Sequence, residues 1–389
     1  MWNWLIHPKE PYTWGFIARV VIKATLLFIV FNLLFAFLRP MDFINRLTLY
    51  NGLFAGRERF PYSDNPPQDY AITTDNIPAM FASHIVSRPK ADDEYRVIIL
   101  GNSATWGYWV SAYDAIAPQL TDQNYLLGDG KRVVAYNLAY PNSYLSRDLI
   151  FLEEVMQYQP DMVIWFVTMG SFLPQRQIDF PLIRNNAQRM RSLIEAYDLY
   201  LDPQDPRFNT TDFFGQTIIG QRRTLSLWLQ TQLYGVMWQS TGIDQFIEAY
   251  QLRPNDLENN LSWQGFEPPI NFTEQDLAFD FIRVGQDLAG DLPIIIVNQP
   301  MFIATGQNSD VRYNDHFPRG AYDSYRALIA NLAVKYQWQY CDLWDALPNE
   351  SFTDTPLHMT AQGTGELARM IGEMITDYLE FGYLGKECE

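Results

Sequence analysis

The amino-acid sequence predicts an α/β fold: a three-layer sandwich with a central parallel sheet, preceded by an N-terminal transmembrane helix and interrupted by a helical insertion. Short and nearly continuous apolar runs recur along the chain, and segments with helical spacing of apolar residues separate them. Such runs lack the alternation of half-exposed strands, so they predict a parallel sheet that is buried between two helical layers. A longer apolar segment near the N-terminus, residues 16–38, predicts a membrane span.

Residues 16–38 are long enough, at about 1.5 Å per residue, to cross a hydrocarbon core of about 30 Å. Arg19 and Lys23 stand near the start of the segment, on one helical face, where both side chains can extend toward the headgroups. The alternative is a cleaved signal peptide, which needs small residues at its cleavage site. Arg39 and Pro40 follow the segment instead, and this favours an uncleaved anchor.

Basic residues flank the span on both sides, so the positive-inside rule does not decide its orientation. We expect residues 1–15 to be cytoplasmic and the body to be extracytoplasmic at the cell membrane, because of the fold that the motifs below indicate. Asn32, inside the span, allows two interpretations. It hydrogen-bonds to a partner helix in the membrane, or it is a tolerated single polar residue.

The rest of the chain divides by composition into two parts. Residues 39–90 contain several prolines and predict a linker and lead-in. Residues 91–389 predict the α/β domain, interrupted at about residues 172–275 by a more polar helical insertion. The predicted strands are the apolar runs at residues 95–100, 133–138, 162–167, 292–297 and 338–343. The predicted helices include residues 146–158, 183–200, 224–250, 322–336 and 361–378.

The composition disfavours several functions. A net charge of −17 without a basic run disfavours nucleic acid, whose phosphates this surface would repel. The four histidines are dispersed, and Cys341 and Cys388 do not form a framework, so we expect no metal and no other cofactor. We expect Cys341, in an apolar run, to be a buried small residue. The aromatic content of 15% is common in carbohydrate-facing and membrane-facing proteins, and an aromatic core explains it equally well.

A serine follows the first predicted strand of the domain. The strand ends at Leu100, Gly101 permits a tight turn, and Ser103 comes next but one. The carboxyl ends of parallel strands form the ligand-binding crevice of such folds, and the N–H groups of a helix that begins there can stabilise an oxyanion. The alternative is an ordinary strand-to-helix loop in which Ser or Asn caps the helix.

A histidine near the C-terminus favours the catalytic interpretation of this serine. His358 precedes the last predicted helix, and Asp354 stands four residues upstream. A carboxylate holds an imidazole in the tautomer that accepts a proton and stabilises the protonated ring. We therefore predict Ser103 as the nucleophile, His358 as its base and Asp354 as the carboxylate that orients the base. His316, in a polar loop, either contacts substrate or is an ordinary loop residue.

Two segments resemble sequence blocks of the SGNH/GDSL hydrolase superfamily. Residues 101–107, GNSATWG, resemble the first block, GDSxTxG, and His358 with the following Met-Thr and Gly363 resembles the last block. Residues 137–139 and 160–165 resemble the second block and the strand that leads to the third. The resemblance covers about residues 95–170 and 290–378, and it implies an SGNH or flavodoxin-like sandwich with serine esterase or acyltransferase chemistry.

The resemblance also implies which residues face the oxyanion or the substrate. The glycine of the second block falls on Ala139, which keeps its backbone N–H, and the asparagine of the third block falls on Gly170 or Ser171. Loss of that side-chain donor weakens oxyanion stabilisation by about 3 kcal/mol, and Asn142 is a candidate to replace it. Asn102 takes the place of the family's acidic residue after the glycine, and the Asp–His spacing is one residue longer than in the family.

A membrane span followed by a divergent SGNH domain resembles a narrower group, the anchored partners of membrane-bound O-acyltransferases. Examples are the D-alanyl transfer protein of teichoic-acid synthesis and the acetyltransferase-like proteins of alginate systems. This analogy implies an esterase or O-acyltransferase that acts on an extracytoplasmic glycan or polymer. Residues 16–38 would then contact a membrane-bound O-acyltransferase or another multi-span protein. The alternative is a non-catalytic accessory protein of the same fold that binds such an acyltransferase or its polymer.

Overall fold

The computed structural model describes residues 13–48, 50–54, 56–63, 72–242, 249–385 and 388. Its centre is a five-stranded parallel sheet, which confirms the predicted fold class. The strands are β1 (Glu94–Leu100), β2 (Arg132–Asn137), β3 (Met162–Val167), β4 (Ile294–Asn298) and β5 (Gln339–Asp342). The strand order is β2–β1–β3–β4–β5, so the chain moves to one side of β1 and then returns to its other side. The crevice of such a sheet lies where this direction reverses, between the carboxyl ends of β1 and β3.

Helices cover both faces of the sheet. In chain order they are α1 (Trp14–Leu38), α2 (Met41–Ile44), α3 (Tyr50–Leu53), α4 (Ile77–Ser83), α5 (Ser103–Trp106), α6 (Ile116–Asp122), α7 (Leu145–Val155), α8 (Pro181–Asn185), α9 (Ala187–Tyr197), α10 (Arg222–Thr241), α11 (Asp280–Ala289), α12 (Arg319–Tyr336) and α13 (Ala361–Phe381). Alternate residues of each inner strand face opposite layers, because successive side chains of a strand point to opposite faces. Ile98 and Leu100 of β1 belong to the core layer that also contains residues of α7, α9, α11 and α12, while Val97 and Ile99 belong to the layer with residues of α6 and α13.

The first helix, α1, matches the predicted span. It is capped by Thr13, and it is long and apolar enough to cross a membrane. Its side chains are exposed along most of its length, but Asn32 and Ala36 are buried by other parts of the chain. Most of residues 1–15, expected to be cytoplasmic, lie outside the described residues.

Residues 39–90 are more than the linker that their prolines suggest. Phe60 and Phe81 are fully buried in the same core as α7. Arg59 lies over the ring of Trp106 and donates hydrogen bonds to the carbonyls of Gly107 (2.7 Å) and Val110 (3.1 Å). The segment therefore belongs to the domain and supports the turn that carries Ser103. The prolines concealed this role, because they mark breaks in regular structure and not exposure.

The predicted insertion, residues 172–275, is only partly a separate lobe. Met190, Leu193 and Ile194 of α9 join the core layer that contains α7. The predicted helix at residues 183–200 is divided into α8 and α9, and the one predicted at residues 224–250 is α10, which ends at Thr241. Residues 243–248 of that prediction lie outside the described residues.

Cys341 is fully buried, as expected, and it also forms a disulfide with Cys388, which the sequence did not predict. Cys341 lies in the edge strand β5, and Cys388 follows α13, the helix that packs on the same face of the sheet. They are 47 residues apart in sequence, so only the path of α13 brings them together.

Candidate active site

Ser103 is held at the carboxyl end of β1 by a tight turn. Gly101 has a φ of 155°, and a Cβ there would lie 2.6 Å from Oγ1 of Thr105 and 3.0 Å from Phe166. Only glycine fits this close approach of backbone and side chains. Ser103 is then the first residue of α5, at the crevice predicted from the strand order.

A chain of two hydrogen bonds links Ser103, His358 and Asp354. The Oγ of Ser103 is 2.8 Å from Nε2 of His358, and Nδ1 of His358 is 2.9 Å from Oδ1 of Asp354. Each ring nitrogen of the histidine thus contacts a different partner. With Nδ1 protonated and bonded to the carboxylate, Nε2 is left to accept the proton of the serine hydroxyl.

The longer Asp–His spacing is accommodated by a compact loop. Phe352 and Met359 pair across it, and the N–H of Thr353 donates to the carbonyl of His358 at 2.8 Å. Thr355 occupies the position where the family has its acid, and its hydroxyl accepts the N–H of His358 at 3.1 Å. The extra residue therefore forms a turn, and Asp354 still reaches the imidazole.

The surroundings of Asp354 stabilise its charged carboxylate form. Partial burial by itself would raise the pKa of this carboxyl, but the hydrogen bond and charge of His358 outweigh it and lower the pKa. Thr353 donates to the carboxylate at 3.1 Å. The buried indole N–H of Trp109 also lowers this pKa, although it makes no hydrogen bond of ordinary geometry. The imidazole of His358 stacks on Tyr108 at 4.8 Å between ring centroids, which restricts the rotation of the ring.

Ser103 and His358 open into a cleft of about 490 Å³. The lining combines aromatic, amide and charged side chains from both halves of the domain and from residues 172–275. These residues are Ser103, Asn142, Ser143, Tyr144, Thr168, Gly170, Leu173, Arg176, Trp263, Gln264, Asp315, His316, Phe317, Thr355, Leu357 and His358. His316 lies at the cleft with its Nδ1 3.2 Å from Asp315, so the structure brings it to the same cavity as the candidate nucleophile.

Two of the predicted oxyanion or substrate residues line this cleft. Asn142 is exposed and has a φ of 71°, the left-handed conformation that glycine adopts most easily. Its side-chain amide makes no hydrogen bond within the part of the chain that the structure describes. Gly170 lies at the start of a 3₁₀ turn after β3, and a Cβ there would meet no atom within 4 Å, so this side of the cleft is open.

The other three predicted residues are turned away from the cleft. The Oδ1 of Asn102 accepts the N–H of Ala104 at 3.0 Å, and its Nδ2 donates to Gln299, so this side chain caps α5. The N–H of Ala139 donates to Oδ1 of Asn137 at 3.2 Å, and the residue is fully buried. Ser171 accepts the N–H of Thr168 at 3.2 Å. These groups are engaged within the chain, and their assignment to the oxyanion or substrate stays a prediction.

A buried ion pair missed by the sequence prediction holds the turns around the site. Arg147 is fully buried on α7 and donates to the carbonyls of Gly101 (2.7 Å), Tyr140 (2.6 Å) and Asn142 (2.7 Å). Its charge is compensated by Asp148 at 2.6 Å, whose other oxygen accepts the indole N–H of Trp165 at 3.0 Å. The sequence signals this ion pair by an adjacent Arg and Asp within an apolar helical run. Burying two charges costs free energy unless they pair with each other and with hydrogen-bonding groups.

Metal ligands are not grouped among the described residues: no cluster of three or more His, Cys, Asp or Glu side chains could hold a metal ion there. Ser103, His358 and Asp354 supply a hydroxyl, an imidazole and a carboxylate at the cleft.

Neither a family model nor a curated protein sequence matches the chain. Solved structures that resemble it include a lipolytic protein of the GDSL family from Desulfitobacterium hafniense, at 11% identity over 72% of this chain and 98% of that chain, with a TM-score of 0.34. Others are a lipase/acylhydrolase from Enterococcus faecalis (13% identity, 72% and 95%, TM-score 0.34) and a carbohydrate acetylesterase family member from Sinorhizobium meliloti (13% identity, 73% and 98%, TM-score 0.31). At these identities and TM-scores the likeness adds nothing to the geometry of the site.

Proposed function

We propose that this protein is a membrane-anchored serine esterase or O-acyltransferase that acts on an extracytoplasmic glycan or polymer. The observation that carries the proposal is the hydrogen-bonded series Ser103–His358–Asp354 at the mouth of an open cleft. A serine, an imidazole and a carboxylate in this order are the parts that nucleophilic acyl transfer needs.

In the proposed reaction, Oγ of Ser103 attacks the carbonyl carbon of an ester or thioester while Nε2 of His358 takes the hydroxyl proton. The tetrahedral intermediate collapses, and the leaving alcohol or thiol departs with that proton. Water or a sugar hydroxyl then gives its proton to His358 and attacks the acyl carbonyl. The second tetrahedral intermediate collapses, the bond between the acyl carbon and Oγ breaks, and Oγ of Ser103 takes the proton back from His358. The candidate donors to the oxyanion are the amide of Asn142 and the backbone N–H groups of Ser103 and Gly170.

The lining of the cleft supports a polar, ring-containing acceptor. Tyr144 is partly exposed and offers an apolar surface, while the exposed Arg176 and Gln264 offer hydrogen-bonding groups. Sugars present the same combination of apolar ring faces and hydroxyl edges.

Two observations support an extracytoplasmic body at the cell membrane. The first is α1, which is long and apolar enough to span the bilayer. The second is the disulfide between Cys341 and Cys388, since disulfides persist in oxidising compartments and are rare in the cytosol. With the body outside, the N-terminus lies on the cytoplasmic side.

The test of the catalytic proposal is Ser103→Ala, assayed on the folded protein with a chromogenic acetyl ester. We expect activity to fall by about 10³-fold or more, because the nucleophile is removed. Ser143→Ala is the matched control, since Ser143 lines the same cleft without contacting His358. A fluorophosphonate probe should label the wild type and not Ser103→Ala. Esterase activity that survives Ser103→Ala unchanged would contradict the assignment.

A second candidate function is a non-catalytic accessory protein of the same fold. The observation that favours it is the absence of a side-chain donor at Gly170 and the internal engagement of Ser171. Such a protein would bind a polymer, or a membrane-bound O-acyltransferase or other multi-span protein through residues 16–38. Folded wild type that resists the fluorophosphonate, and that co-purifies with a multi-span protein only when residues 16–38 are present, would support it.

A further inference from the structure

A loop of the inserted region lies against the candidate membrane helix and exposes large apolar side chains. We define it as the 213–220 loop. Phe214 is 76% exposed, and Phe213 and Ile219 are each more than half exposed. The chain as a whole has a net charge of −17, so a cluster of three exposed apolar side chains within eight residues is unusual for its surface. Such a cluster indicates contact with an apolar surface.

A hydrogen bond attaches the loop to α1 at Asn32. The N–H of Ile219 donates to Oδ1 of Asn32 at 3.4 Å, and Nδ2 of Asn32 donates back to the carbonyl of Phe28 at 2.8 Å. Asn32 and Ala36 are buried and Phe35 is half-buried, so the loop covers one face of the helix near its end. The polar residue inside the predicted span therefore has hydrogen-bond partners within this chain.

Asn32 lies close to the end of α1 from which the body emerges. Leu38, the last residue of α1, is six residues further along, or about 9 Å at about 1.5 Å per residue. Amphipathic elements at a membrane interface bury their apolar side chains about 5–10 Å into the boundary between headgroups and acyl chains. If α1 spans the membrane with Leu38 at the headgroups, the 213–220 loop therefore lies at the boundary where acyl chains meet headgroups.

The charges around the loop suit that boundary. Arg222 donates to the carbonyl of Ile219 at 2.7 Å, and Arg39 and Arg223 line one cavity beside the loop. Asp42, Asp75 and Asp212 line the same cavity, and Asp212 accepts the N–H of Gly215 at 2.7 Å. Beyond Arg223, α10 contains no charged residue. Arginines beside an apolar loop can meet the phosphates of lipid headgroups while the aromatic rings enter the acyl region.

We propose that the 213–220 loop binds the lipid bilayer, with Phe213, Phe214 and Ile219 inserted at the acyl boundary of the leaflet from which the body emerges. The proposal rests on the membrane anchoring proposed above. A single helix would leave the body free to swing, whereas a second membrane contact restrains it. The loop thus sets the orientation of the catalytic cleft relative to the membrane surface.

The test uses the full chain reconstituted in vesicles of phosphatidylcholine and phosphatidylglycerol. Both cysteines of the sequence are in the disulfide, so one introduced cysteine provides a unique site for an environment-sensitive fluorophore. Phe214→Cys tests the loop and Leu26→Cys tests the span. Val334→Cys on α12, where the native side chain is 82% exposed, is the matched control.

We expect emission from position 214 to shift to the blue and to be quenched by lipids that carry a spin label near the headgroup. Position 334 should show neither effect, and position 26 should be quenched by a deep label. Quenching at 26 with water-like emission at 214 would overturn the lipid contact and leave the anchor intact. A blue shift at 214 without lipid quenching would also overturn it, because a protein surface then covers the loop. Absence of quenching at 26 would instead reject the anchoring itself.

Discussion

The two loops that meet at the candidate catalytic site are held in different ways. The nucleophile turn after β1 is tied to the core: Gly101 has no room for a side chain, and the buried Arg147 bonds to its carbonyl. The histidine loop before α13 is held by local bonds of Thr353 and Thr355, and the side chain of Asp354 is partly exposed.

Because of this difference, substitutions in the two loops should affect different quantities, one the stability of the fold and the other the rate of the reaction. A substitution of Arg147, which holds the nucleophile turn, leaves a buried charge unpaired and should lower the free energy of unfolding. A substitution in the histidine loop removes one partly exposed hydrogen bond and should change the reaction far more than the fold. The predictions below test this contrast, from the largest expected effect to the smallest.

The largest effect is expected from Asp354→Asn. The amide cannot stabilise a protonated imidazole and favours the wrong tautomer, so kcat on an acetyl ester should fall by about 10³- to 10⁴-fold. The free energy of unfolding should change by only about 1 kcal/mol, because one partly exposed hydrogen bond is lost. Steady-state kinetics and urea unfolding measure the two quantities.

Asp315→Asn is the control for that substitution. Asp315 also lines the cleft, but its partner is His316 and not His358. We expect its kcat to stay close to that of the wild type. Equal losses in the two variants would mean that cleft charge, and not the orientation of His358, determines the rate.

Next comes Arg147→Met, which leaves Asp148 buried without its ionic partner and removes the donor to the carbonyls of Gly101, Tyr140, Pro141 and Asn142. Breaking a buried pair in this way should lower the free energy of unfolding by about 3 to 5 kcal/mol. Arg283→Met removes an exposed pair with Asp287 on α11 and should cost less than about 1 kcal/mol. Similar values for both variants in urea unfolding would refute the role of Arg147 as the support of the turn.

A smaller effect is expected from Asn142→Gly. Glycine adopts the positive φ of this position more easily and keeps the backbone N–H, so only the side-chain amide is lost. If that amide contacts the oxyanion, kcat should fall by about 10²-fold without loss of stability. An unchanged kcat would assign the donor role to backbone N–H groups alone.

The smallest effect is a pH dependence of stability. The pKa of Asp354 is lowered in the folded protein, so its contribution is present above its unfolded pKa and is lost as pH falls through the folded value. The wild type should therefore exceed Asp354→Asn in free energy of unfolding by a constant amount above about pH 5. The excess should shrink below about pH 4, and a growing excess in acid would contradict the lowered pKa.

The sequence by itself determined the layers of this protein. Continuous apolar runs located the five strands, the periodicity of apolar residues located α7, α12 and α13, and the long apolar segment located α1. These are short-range patterns, since burial on one face or on both faces fixes which neighbouring residues must be apolar. The sequence also predicted that Ser103 and His358 act together, because their chemistry suits a nucleophile and its base. It did not predict the distance between them.

Only the tertiary structure decided which other groups join that pair. Cys341 meets Cys388, Arg147 meets Gly101, and Asn32 meets Ile219 because separate elements pack together, and no local pattern encodes those meetings. The same reason explains why Asn142 faces the cleft while Ala139, three residues earlier, is turned inward. Asn142 has a φ of 71°, and its carbonyl accepts a hydrogen bond from Arg147, which lies on a separate element, α7.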